Sequence, residues 1–95
     1  MKSKLKWDES KRASNLVKHG LDFANASVVL DSVYRLDVDI FRGEELRVMS
    51  FSYVPEVLAV LTVVHTARDE SVRIISFRPA SNEEREVYYG WLESE

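Results

Sequence analysis

The chain has 95 residues, 45% hydrophobic and 31% charged, with three Gly, two Pro and no Cys. That bounds it to one small domain with a single modest core, and excludes a disulfide framework, a thiolate metal centre and long disordered linkers. A formal net charge of −3 argues against a sequence-blind nucleic-acid binder, whose affinity rests on a large positive field. The charge is unevenly spread, however. Residues 1–19 hold six basic side chains against Asp8 and Glu9, while residues 81–95 hold five glutamates against Arg85, a pattern that suits one cationic and one anionic face. The longest apolar run, Val57 to Val64, is too short to span a bilayer. The opening MKSKLKW lacks the apolar segment of a secretory signal, so a cytoplasmic protein with no membrane partner is expected.

In chain order, the lysine-rich first six residues read as a loose arm. Asp8 is placed to cap a helix from about residue 9, with Ala13, Leu16 and Val17 on its apolar face. Lys18 and His19 fall in the last turn, where cations meet orphan carbonyls, and Gly20 suits the left-handed residue that ends a helix. Asp22 is placed to cap a second helix that buries Phe23, Ala26, Val29 and Leu30.

From residue 33 the period changes to two. VYRLDVDIF reads as an edge hairpin, and ELRVMSFSYV, EVLAVLTVVHT and SVRIISFR as three consecutive strands of an antiparallel meander. Pro55-Glu56 and Ala67–Glu70 supply the turns. In a regular register Arg47, Met49, Phe51 and Tyr53 share a face with Ile74, Ser76 and Arg78, while Leu46, His65 and Arg73 meet on the other. A single bulge would exchange these faces.

The segment SNEEREVYYGWLESE has capping-box spacing at Ser81 and Glu84, with Val87, Tyr88, Trp91 and Leu92 as its apolar stripe. Arg85 can lean on Tyr88 or Tyr89. The expected fold class is α+β: two N-terminal helices, an antiparallel sheet of about four strands and a C-terminal helix, spanning residues 1–95 as a single domain.

Two separated stretches resemble one known family. Trp7-Asp8, Lys11, Asn15, Lys18-His19-Gly20, Phe23 and Ala26 are similar to the opening of the BrnT toxin family. RIISFRPASNEEREVY resembles its second signature through Arg73, Ile74, Ile75, Ser76, Arg78, Ala80, Ser81, Glu84, Arg85 and Tyr88. The resemblance implies a RelE-like ribonuclease toxin of a type II toxin–antitoxin pair. Its partner would be a BrnA-like ribbon–helix–helix antitoxin, its substrate RNA, and operator DNA would be met only through the antitoxin complex. The chain departs from the family pattern at Pro79, where a lysine is common, at Leu46, which separates Glu45 from Arg47, and at Ser52, where glycine is common. These departures and the net acidity support an alternative, a catalytically weak or inactive toxin fold acting as antitoxin partner and transcriptional corepressor.

RNA cleavage without a metal needs a base for the ribose 2′-hydroxyl, cations for the charged phosphorane and an acid for the leaving 5′-oxygen. Arginine forks match phosphate oxygens, and histidine or tyrosine can move protons. The expected catalytic residues are Arg78, Arg85, Tyr88 and His65, and the expected RNA-binding residues are Lys18, His19, Arg47 and Arg73. Arg78, at a strand end, and Arg85, on the first turns of the last helix, rank first. The competing reading makes them surface arginines that neutralise Glu83, Glu84 and Glu86, and makes His65 a satisfied strand histidine. Trp7, Phe23 and Trp91 read as core. No His, Asp and Glu spacing matches a metal-ligand set, and no cofactor is expected.

Overall fold

The computed structural model describes residues 4–68 and 70–94. Residues 1–3 of the expected arm and Asp69 of the expected turn lie outside them. Helix α1 spans Glu9–His19, and Asp8 caps it by accepting from the backbone N–H groups of Ser10 and Lys11. Gly20 ends it at φ 69° and donates its N–H to the Leu16 carbonyl. Both ends therefore follow the expected cap chemistry.

The buried face of α1 is not the expected one. Val17 is 89% exposed and Leu16 42%, whereas Asn15 is only 8% exposed. The reason lies in what α1 covers. Strand β1 (Lys4–Lys6) pairs in parallel with the first three residues of β5 (Ser71–Pro79). Beyond Arg73 the β5 edge has backbone groups to satisfy, and α1 supplies an amide there. Asn15 Nδ2 donates to the carbonyls of Phe77 at 2.7 Å and Leu21 at 3.0 Å, while its Oδ1 accepts from the Phe77 N–H at 3.3 Å. One side chain thus does the work of a paired strand residue.

Asp22 caps a 3-10 turn at Phe23–Asn25, followed by the short helix α2, Ser27–Leu30. The expected second helix is therefore broken, yet Phe23, Ala26 and Val29 are fully buried, as its spacing requires. Strands β2 (Leu36–Arg42), β3 (Glu45–Val54) and β4 (Ala59–Arg68) complete a five-stranded sheet of order β1-β5-β4-β3-β2. The expected four-stranded antiparallel sheet is thus corrected to a mixed one, because the lysine arm forms an edge strand. VYRLDVDIF yields a single edge strand whose hairpin partner is β3.

A bulge between Val64 and His65 decides the two faces. His65 stands opposite Ile74 and Val48, and Thr66 opposite Arg73. Arg73 thereby moves away from His65 and onto the face of Thr62, Ser76 and Arg78, and Ile74 moves the other way. One face packs Val54, Leu61, Val63, Ile74 and Phe77 against Phe23, Ala26 and Val29; we call it the α2 face. The other packs Phe51 and Val60 against Tyr88, Trp91 and Leu92 of α3, Asn82–Glu93; this is the α3 face. Ser81 and Glu84 form the expected capping box, but Val87 of the expected stripe is 53% exposed.

Replacing Asn15 by Ala should cost roughly 2–4 kcal/mol, because it strands the Phe77 N–H and carbonyl at a buried strand edge. Chemical denaturation of the variant measures this, and a loss below about 0.5 kcal/mol would show that water replaces the amide without cost.

Candidate active site

On the α3 face, helix α3 covers the β2–β3 side and leaves the β5 side open. The alternation of β1 puts Leu5 into the α2-face core and Lys4 and Lys6 on the opposite side, where Lys6 pairs in register with Arg73. Arg47, Thr66, Arg73, Ile75 and Lys11 line a hollow of about 280 Å³ together with Glu45. A second hollow of about 270 Å³ lies between α1 and β5, lined by Ser10, Lys11, Ser14, Lys18, His19 and Ser76 among others. Lys11 and Ile75 belong to both, so the two form one continuous strip. Among the described residues Lys11, Lys18 and Arg73 have no carboxylate partner, while Arg47 Nε donates to Glu45 Oε1 at 2.7 Å. Of the expected residues, Lys18 and His19 line the second hollow and Arg47 and Arg73 the first. Lys11 was missed, although its spacing to Ser14, Asn15 and Lys18 already marks one helical face.

His19 is partly buried, and its pKa is lowered, first by desolvation and then by the positive fields of Lys18 and Arg78. Each of these effects favours the neutral imidazole, the form that can accept a proton. Arg78 reaches the same neighbourhood but is held in a two-pronged ion pair with Glu84, at 2.7 and 2.9 Å. Glu84 also accepts from Thr62 Oγ1 and from the Ser81 N–H. These donors, Arg78 foremost, pull the Glu84 carboxyl down to about 2.

Three expected residues stand elsewhere. Arg85 folds back onto the Ala80 carbonyl and the Asn82 side chain, and does not share a partner with Arg78. Tyr88 is fully buried; its hydroxyl donates to the Tyr34 carbonyl at 2.9 Å and accepts from the Tyr53 N–H at 3.1 Å, which ties α3 to the sheet. His65 is 6% exposed and lies on the α2 face. There Ser50 Oγ donates to Asp37 Oδ1 at 2.6 Å, so the His65 Nε2–H donates to Ser50 Oγ at 2.8 Å. Burial lowers its pKa and keeps it neutral, and Nδ1 has no partner. The bulge accounts for this placement: it separates His65 from Arg73 by the thickness of the sheet.

Residues 7–84 match a family model described as the ribonuclease toxin, BrnT, of a type II toxin–antitoxin system. The chain belongs to the BrnT family. No curated protein matches it. In this BrnT chain the matched span holds the α1 and β5 walls of the strip, Arg47 and the Arg78–Glu84 pair, but stops before Arg85 and Tyr88. The BrnT family consists of ribonuclease toxins, so a strip of cations around a neutral imidazole is chemistry appropriate to it. Among the described residues no three His, Cys, Asp or Glu side chains gather to hold a metal, and no helix is long and apolar enough to cross a membrane.

Glu84 and Asp22, the latter lowered to about 2 chiefly by Arg12, both titrate below their ordinary values of 4.5 and 3.8. With folded pKa values depressed, their stabilisation is complete above about pH 4.5 and is lost as pH falls toward 2. Glu84→Gln should lower thermal stability at pH 7 and narrow the gap between pH 7 and pH 2. A gap equal to that of the unmodified chain would show that the Arg78 pair contributes nothing to the folded state.

Proposed function

We propose that this BrnT chain is an endoribonuclease that cuts RNA on the open strip of the α3 face without a metal ion. The observation that carries the reading is the pair of hollows joined at Lys11 and Ile75, with Lys18 and His19 lining one and Arg47 and Arg73 the other. His19 takes the proton of a ribose 2′-hydroxyl, and the resulting oxygen attacks the adjacent phosphorus. The P–O5′ bond breaks, a 2′,3′-cyclic phosphate forms, and the departing 5′-oxygen takes a proton from water. Arg73, Arg47 and Lys11 hold the phosphate oxygens and offset charge on the phosphorane. Arg78 adds a fixed cation beside His19, and Glu84 sets its position. Arg85 holds the first turn of α3, and Tyr88 and His65 maintain the fold behind the strip. A BrnA-like ribbon–helix–helix antitoxin silences the enzyme, and the complex reaches operator DNA through the antitoxin.

Purified protein incubated with RNA in excess EDTA should generate cyclic phosphate ends. His19→Gln should slow cleavage about 10²–10³-fold, and the acid limb of kcat/KM, set by a group titrating below 6.5, should vanish with it. Arg73→Ala should raise KM more than it lowers kcat. Cleavage unchanged in both variants removes the strip as the active site.

A second reading has its own support. Both terminal nitrogens of Arg78 are occupied by Glu84, and Arg85 is folded back on its helix, as in a weak or inactive toxin fold retained as antitoxin partner and corepressor. Expression without the antitoxin separates the two: growth arrest marks the enzyme, and unaffected growth the binding module.

A further inference from the structure

A third hollow, of about 530 Å³, lies away from the strip and shares no lining residue with it. Tyr89 and Leu92 of α3 form one wall, Tyr34 the other, and Tyr53 and Pro55 close the end over buried Tyr88. Aromatic side chains remain open to solvent here, Tyr34 at 63% and Tyr89 at 43%. Pro55 opens the turn that ends at Leu58, the only non-glycine residue with positive φ among the described residues, at 54°. Leu58 is 79% exposed and Val57 50%. An apolar side chain held outward on a left-handed backbone gains nothing from the fold of the isolated chain. Such a patch on a small domain marks a place where another surface docks.

The rim says what that surface carries. Glu86 and Glu93 stand three residues before and four after Tyr89, on its outer flank, and Glu56 follows Pro55. All three are exposed and have no cationic partner among the described residues. The nearby cations are engaged: Arg35 by Asp37 and the Leu30 carbonyl, and Arg85 by the Ala80 carbonyl and Asn82. An aromatic trough with an acidic, unpaired rim repels a phosphodiester backbone. It complements an apolar polypeptide segment flanked by lysines or arginines.

We infer that the Tyr34–Tyr53–Tyr89–Leu92 groove is the anchoring site for the antitoxin, through an apolar segment of that protein flanked by basic residues. The inference rests on the toxin–antitoxin membership of the chain, and it places the anchor apart from the RNA strip. Silencing then requires a second segment of the same partner, reaching from the groove to the strip.

The test uses the full chain and the co-expressed product of the adjacent reading frame as probe. Tyr89→Glu and Tyr34→Glu should each weaken binding at least tenfold in calorimetry. Leu58→Gly relieves the left-handed backbone, so it should bind more weakly with no loss of thermal stability, a combination that misfolding cannot produce. Both tyrosine variants should cleave RNA at the wild-type rate yet escape inhibition. Groove variants that bind as wild type overturn the assignment. So does an adjacent product that fails to bind the unmodified chain, a wild-type dimer that Tyr89→Glu dissociates, or a loss of RNA affinity in the tyrosine variants. Loss of cleavage in His19→Gln together with normal groove behaviour bears on the nuclease reading alone.

Discussion

The molecule is organised around a shared strand edge. β5 gives its first residues to β1 and its later ones to the Asn15 amide, and that hand-over fixes where α1 can lie. Because the link is made of hydrogen bonds to main chain, α1 cannot slide along β5 without stranding two buried polar groups. Lys11 and Lys18 flank Asn15 on the same helix, so their distance to the β5 face is set by the same amide. The cationic strip is therefore a by-product of how a sheet edge is satisfied.

Much of this architecture was legible where chemistry is local. Asp8, Gly20, Ser81 and Glu84 announce helix ends because caps involve residues within four positions of one another. The three long strands follow from alternation. What was hidden depends on partners distant in sequence. Nothing in VVHTAR or SVRIISFR signals the bulge that moves Arg73 to the other side from His65, since one unpaired residue leaves both strands equally apolar. Three residues of Lys-Leu-Lys do not look like a strand until β5 lies beside them. Leu16 and Val17 lie on the apolar face that helical spacing gives α1, yet they stay exposed, because here the helix covers a backbone edge.

Net charge is also a poor guide to what the surface offers. A chain of −3 still concentrates Lys4, Lys6, Lys11, Lys18, Arg47 and Arg73 along one side of the sheet, because β1, α1 and β5 are neighbours in space. The balancing carboxylates sit mainly on α3 and in the β2 region. Field strength near a surface falls within about a Debye length, ~8 Å at physiological salt, so a ligand at the strip meets the local cations and not the total.

Glu84 joins two regions that would otherwise be independent. The same carboxylate holds the α3 first turn through Ser81, grips Thr62 in the central strand and restrains Arg78. An anion that draws Arg78 away takes a restraint from the helix whose next turns carry Tyr89 and Leu92. Were occupancy of one side to loosen that pair, reciprocity would require a polypeptide that stiffens α3 to raise the energy needed to release the guanidinium. Any thermodynamic linkage between the two surfaces would run through this single shared acid, with no moving hinge.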